Sequence, residues 1–128
     1  MMYRLGSRSK RHLKGVHPDL VRVVERAIQI TDVDFTVLEG LRSIRRQRIL
    51  VRRGASQTMN SRHLTGHAVD LGAWVNRKVS WDWKYYYKIA KAMRQAAKQE
   101  TVPIEWGGNW KRFKDGPHFQ LPRSLYPG

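Results

Sequence analysis

His63 and Asp70 stand in Ser61-Arg62-His63-Leu64-Thr65-Gly66-His67-Ala68-Val69-Asp70, and far downstream Asp115-Gly116-Pro117-His118-Phe119 offers a further imidazole and carboxylate. The chain contains no cysteine, so any zinc ion must take nitrogen and oxygen donors. His63, Asp70 and His118 would supply two imidazoles and one carboxylate. Three protein donors leave the fourth tetrahedral position to water, the pattern of catalytic rather than structural zinc. Zinc lowers the pKa of its water from about 15.7 to about 7, so the chemistry these residues suggest is hydrolysis with one zinc per chain.

Local context supports each donor. Asp70 lies between Val69 and Leu71, where a carboxylate without a partner is costly to bury. His118 precedes Phe119 and Leu121, and Gly66 lets the chain bend between His63 and Asp70. His67 follows His63 by four residues, the spacing of a His-Glu-x-x-His metalloprotease helix. Leu64 stands where that motif needs its glutamate, and Gly66 opposes a helix. His67 is therefore expected beside the site, not in it.

The elements that must position these residues follow from periodicity and capping. Pro18 can open a helix over residues 18 to 30, with Leu20, Val24, Ala27 and Ile28 at helical spacing. Phe35 to Leu38 reads as a buried strand. Ser43 can cap a helix over 44 to 53 that ends at Gly54, with Arg45, Arg46, Arg48, Arg52 and Arg53 on its outer face. Residues 54 to 62 read as a polar loop and 68 to 71 as a short strand, followed by a hairpin with Asn76 and Arg77 at its tip. Ser80 or Asp82 starts a long helix whose apolar face carries Trp83, Tyr86, Ala90, Met93 and Ala97. Strands at Ile104–Trp106 and His118–Leu121 complete the set. The expected fold is α+β, with about three helices packed on a small, mostly antiparallel sheet and zinc in a cleft on that sheet. Residues 1 to 14 hold Arg4, Arg8, Lys10, Arg11 and Lys14 and no acid, a loosely held basic arm ahead of a single domain spanning 15 to 128.

At 128 residues, 41% hydrophobic and 27% charged, the chain has the make-up of one folded domain. No apolar run approaches the roughly 20 residues of a membrane span, and the first residues lack the apolar core of a cleavable secretion signal. The net charge of +15 is the outlier. It attracts polyanions, whether nucleic acid, anionic envelope polymers or lipopolysaccharide. A nucleic-acid-binding module would explain the charge but not the apolar settings of Asp70 and His118.

Ser61-x-His63-x-x-Gly66-x-Ala68-x-Asp70, then Glu105-Trp106-Gly107-Gly108-Asn109-Trp110 and Asp115-x-x-His118-Phe119, together resemble the VanY-like zinc peptidases of bacterial cell walls. The similarity is greatest to the phage endolysins that act as L-alanyl-D-glutamate endopeptidases. Val16-His17-Pro18-Asp19-Leu20 and Gly40-Leu41-Arg42 with Gln47 extend it over residues 9 to 122. The resemblance implies that His63, Asp70 and His118 bind zinc, that Asp115 is the catalytic acid/base and that Arg42 helps stabilise the oxyanion. Ser61, Gln47 and Glu105 are the expected substrate-binding positions, with Glu105 at the rim. On local sequence alone, Asp115 in Lys114-Asp115-Gly116-Pro117 also makes a good surface turn. Asn109 departs from the aspartate that related enzymes often carry in this stretch.

The function implied is hydrolysis of the L-alanyl–D-glutamate bond of the peptidoglycan stem peptide, with lysis of the bacterial cell. A D-alanyl-D-alanine carboxypeptidase is the alternative within the same class, and a zinc-stabilised wall-binding protein would share the ligands without needing Asp115. The expected protein is a monomer without a transmembrane segment or specific nucleic-acid partner. It is made in the host cytoplasm and reaches the periplasm or wall after the membrane is permeabilised.

Overall fold

The computed structural model describes residues 2–56 and 58–128; Met1 of the basic segment and Gln57 of the polar loop lie outside them. In chain order the elements are α1 (Ser7–His12), α2 (Pro18–Ile30), β1 (Phe35–Glu39), α3 (Ile44–Arg52), β2 (Ala68–Val75), β3 (Lys78–Ser80), α4 (Trp83–Glu100), β4 (Glu105–Trp106) and β5 (His118–Gln120). Two 3₁₀ turns, Arg62–Thr65 and Gly107–Asn109, flank the strands that carry the chemistry. The α+β expectation holds, with one more α-helix than expected.

Each long helix starts where its capping chemistry predicts. The His17 ring accepts from the Asp19 amide ahead of α2 at 3.0 Å. Ser43 accepts from the Arg46 amide ahead of α3, also at 3.0 Å, and Asp82, rather than Ser80, caps α4 through the Lys84 amide. The buried face of α4 comprises Tyr86, Ile89, Ala90, Ala92, Met93, Ala96 and Ala97, and α4 packs along α2. Trp83, expected on that face, is more than a third exposed and meets Tyr86 edge-on at the margin of the core.

The sheet is antiparallel throughout, in the order β1-β2-β5-β4, with β3 paired to the far end of β2. β2 runs four residues beyond the predicted strand because its second half pairs with β3. Asn76 and Arg77 both take left-handed backbone angles (φ 52° and 64°) at the hairpin tip, the type I′ geometry that matches strand twist. Alternation along β2 sends the fully buried Val69, Leu71 and Ala73 into the core. Phe119 within β5 and Leu121 just after it do the same. Each such side chain contributes roughly 1.5–3 kcal/mol through burial. Asp70, His118 and Gln120 take the opposite face.

The basic segment ahead of residue 15 differs from expectation. Residues 7–12 form α1, which docks on β1 instead of hanging loosely. β1 is an edge strand, and its outer backbone groups need partners. Ser9, buried, accepts from the Val37 amide at 2.9 Å and bonds Thr36 Oγ1 at 3.0 Å. The His12 ring donates to the Val37 carbonyl at 2.6 Å. Two polar side chains thus close the sheet edge while the lysines and arginines face water.

Candidate metal centre

Asp70 sits at the centre of a rung that crosses three strands. Glu39 of β1 registers with it on one side, after a bulge between Val37 and Glu39, and His118 of β5 registers with it on the other. The 3₁₀ turn carrying His63 lies over this rung. Ser61 starts the turn by accepting from the His63 amide at 3.2 Å, and Gly66 ends it at φ 75°. A side chain at Gly66 would run into the Gly15 carbonyl, so both the angle and the close approach call for glycine.

The trio named from the sequence converges. His63 Nε2 lies 3.2 Å and His118 Nδ1 3.3 Å from Asp70 Oδ1, and one ligand atom from each residue falls within 4.8 Å of the others. Both histidines are buried. The outward nitrogens are already engaged: His63 Nδ1–H donates to the Gly40 carbonyl at 2.8 Å, and His118 Nε2 meets Gln120 Oε1 at 2.8 Å. The inward nitrogens can therefore give up the protons they share with Asp70 and offer lone pairs beside a carboxylate, a donor set that fits a divalent cation.

The electrostatics run the same way. Burial pushes the Asp70 carboxyl up, but hydrogen bonds from His118 and His63, with their charge, outweigh it and hold the group well below the usual carboxylate range. For His118, burial favours the neutral ring, yet the bond to Asp70 and that residue's charge raise its pKa. Asp115 reaches within 4.0 Å of His118 Nδ1 and is about half exposed. Burial and then the charge of Asp70 raise its pKa.

A family model described as phage L-alanyl-D-glutamate peptidase matches residues 1–121. The L-alanyl-D-glutamate peptidase of Escherichia phage T5 is 30% identical over 132 aligned residues, covering all of this chain and 96% of that one. The chain belongs to the phage L-alanyl-D-glutamate peptidase family. The Bacillus subtilis (strain 168) peptidoglycan L-alanyl-D-glutamate endopeptidase CwlK is 31% identical over 111 residues, which span 70% of this chain and 61% of CwlK. The crystal structure of the Serratia marcescens L-Ala D-Glu endopeptidase ChiX superposes with a TM-score of 0.92 at 56% identity, covering 98% of this chain and 94% of that one.

The other residues singled out in the family motifs take distinct places. Arg42 is buried beside the trio, with NH2 3.7 Å from Asp70 Oδ2. Its guanidinium spends Nε and NH2 on Glu39, at 2.8 and 2.6 Å, and NH1 on Gln47 Oε1 at 2.7 Å. Gln47 is fully buried, and its amide nitrogen donates to Ser56 at 2.8 Å and to the Thr58 carbonyl. It braces Arg42 and the polar loop from beneath and presents nothing to the surface. Glu105 is exposed at the end of the sheet. Ser61 is partly exposed at the head of the His63 turn. His67 bonds Thr65 Oγ1 at 2.6 Å and stacks near His17, outside the trio. Asn109 is exposed at the end of its 3₁₀ turn.

Sequence reasoning missed Glu39, Gln120, Trp110 and Arg62. Glu39 forks onto Arg42, and Trp110 lies against the His118 ring at 5.0 Å between centroids. Arg62, almost fully buried next to His63, donates to the carbonyls of Leu121 and Tyr126 at 3.0 and 2.6 Å. It thereby ties the His63 turn to the chain beyond β5. Gln120 carried one available signal, since it alternates with His118 on the same face of one strand.

Proposed function

We propose that this chain is a zinc-dependent peptidoglycan peptidase, an endolysin that hydrolyses the L-alanyl–D-glutamate bond of the stem peptide and so lyses bacterial cells. The observation that carries this reading is the convergence of His63, Asp70 and His118 at one point, with Asp115 alongside, in a chain of this family. His63 through Nε2, His118 through Nδ1 and Asp70 through a carboxylate oxygen are the zinc ligands, one ion per chain. When bound, zinc supplies a Lewis acid that acidifies water and polarises a carbonyl.

Asp115 is the acid/base. It takes a proton from the attacking water and returns it to the leaving amine of the D-glutamyl residue, work worth about 10²–10⁴-fold in rate. Its tether to His118 keeps it beside the reacting atoms without making it a ligand. Arg42 directs the N–H groups left over from Glu39 and Gln47 toward the oxyanion, where charge grows only in the transition state. Ser61 and Glu105 line the rim that receives the stem peptide, and Gln47 contributes to substrate binding by fixing Arg42 and the loop after α3.

Residues 15–128 form the peptidase domain and act as a monomer, with the basic N-terminal segment clasped to it. The charge of +15 concentrates the protein on anionic envelope polymers or lipopolysaccharide, an attraction that weakens as salt rises. The protein is made in the host cytoplasm and works in the periplasm or wall after the membrane is permeabilised. No helix among the described residues is long and apolar enough to cross a membrane.

Digestion of purified peptidoglycan with and without a chelator, followed by mass spectrometry of the new chain ends, tests the proposal. Chelator-sensitive appearance of amino-terminal D-glutamyl groups is the expected result. Release of free D-alanine instead would reassign the enzyme as a carboxypeptidase, and an intact wall in the presence of zinc would end the hydrolase reading.

A further inference from the structure

His63 and His118 turn different nitrogens toward Asp70, and topology explains why. His118 is the direct cross-strand partner of Asp70, a pairing that leaves Cβ atoms about 4.5–5.5 Å apart. The near nitrogen, Nδ1, is the one that faces the carboxylate. His63 reaches in from a turn above and uses its far nitrogen, Nε2. Each ring must keep its proton on the outward nitrogen, and the two achieve this differently. For His63 the acceptor is the Gly40 backbone carbonyl at 2.8 Å, which can only accept.

For His118 the acceptor is a side-chain amide, which can present either end. The next contact removes that ambiguity. Gln120 Nε2 donates to Glu105 Oε1 at 3.0 Å, and an ionised carboxylate only accepts, so the amide nitrogen must face Glu105. The amide oxygen is then left for His118, 2.8 Å from Nε2. Nε2 must carry the hydrogen, and Nδ1 keeps its lone pair for the ion. Glu105 and Gln120 are register partners on β4 and β5, so the sheet itself holds the chain of contacts in line.

We propose that Glu105 and Gln120 form a positioning relay that fixes the tautomer of His118 and thereby sets the metal affinity of the site; this rests on the metal reading above. Neither residue is a catalytic residue in this role. Glu105 sets the direction of the amide, Gln120 passes that direction to the imidazole, and His118 presents the correct nitrogen. Loss of such an outer partner typically weakens metal binding 10–100-fold.

The experiment measures zinc affinity by competition with a chelating dye for the wild type, Q120L, E105A, Q120E and the Q120E/E105A double variant, with H63A as the ligand-loss control. Q120L is expected to bind zinc about 10–100-fold more weakly, and E105A to weaken it less. Q120E sets a second carboxylate against Glu105 and recovers only part of the affinity, whereas Q120E/E105A removes that clash and restores tight binding, because a carboxylate accepts from His118 without needing an orienting partner. Nitrogen-15 NMR of the zinc-loaded wild type should show a slowly exchanging His118 Nε2 proton that exchanges faster in Q120L and E105A. Glu105 is exposed, so E105A keeps the test independent of folding. Wild-type affinity and exchange in both Q120L and E105A would overturn the relay alone. A wild type that binds no zinc would overturn the metal reading and the relay with it.

Discussion

The two histidines of the candidate centre are held by opposite strategies. His63 stands on a short turn whose supports are largely backbone: its ring bonds the Gly40 carbonyl and its own carbonyl accepts the Arg42 amide at 2.9 Å. His118 stands on a regular strand and is oriented by two side chains in series, Gln120 and Glu105. A ligand fixed by backbone tolerates change in neighbouring side chains as long as the turn survives. A ligand fixed by side chains can be adjusted by single substitutions without touching the fold. Rigidity lies on one side of the candidate centre and tunability on the other.

Direct removal of the backbone-held ligand should have the largest effect. H63A is expected to lose zinc and wall-degrading activity together, measured as metal content after dialysis and clearing of purified peptidoglycan. Retained zinc at wild-type affinity would strike His63 from the ligand set. D115A comes next, with turnover down about 10²–10⁴-fold and zinc content unchanged. Such a result separates Asp115 from the ligands on both sides, and loss of metal in D115A would place it among them.

G66A attacks the supports of His63 without touching a donor atom. A side chain at φ 75° facing the Gly15 carbonyl should lower stability by about 1–3 kcal/mol, read from chemical denaturation. Zinc affinity should fall with it, whereas a variant as stable as wild type would show that the turn accommodates a side chain at this position. D34N acts on neither side and should have the smallest effect. Asp34 lies before β1, and its Oδ1 is buried without a hydrogen-bond partner. Burial raises its pKa above 3.8, partly offset by a hydrogen bond from the Phe35 amide. Between the unfolded and folded values the folded state therefore holds a proton that the unfolded chain releases. Stability is fullest below pH 3.8 and declines as pH rises through the higher folded value. D34N should remove that slope and add about 1 kcal/mol at neutral pH, with zinc affinity unmoved.

The parts of this molecule that could be read from sequence are those written in side-chain type and local spacing. Pro18, Ser43 and the pair Ser80 or Asp82 marked helix starts because capping is a short-range matter, and the stripe from Leu20 to Ile28 marked the face of α2. The candidate metal trio was legible because a carboxylate between Val69 and Leu71 needs a reason to be there. What stayed hidden depended on distant partners. α1 looked like a solvated arm because its charges outnumber Ser9 and His12, the two residues that clasp β1. Gln47 looked available to substrate until its burial against Arg42 was visible. The Gly40 carbonyl could not be foreseen, since every residue has one and only the fold decides which is aimed at a histidine.

The rung Glu39–Asp70–His118 is assembled from three segments separated by long stretches of chain, and its last member arrives with β5. A ribosome-bound chain that has emerged only as far as α4 contains His63 and Asp70 but cannot close the cluster. Assembly of the cluster is therefore coupled to long-range closure of the sheet, and the three donors come together only in a chain whose β2–β5 pairing is complete.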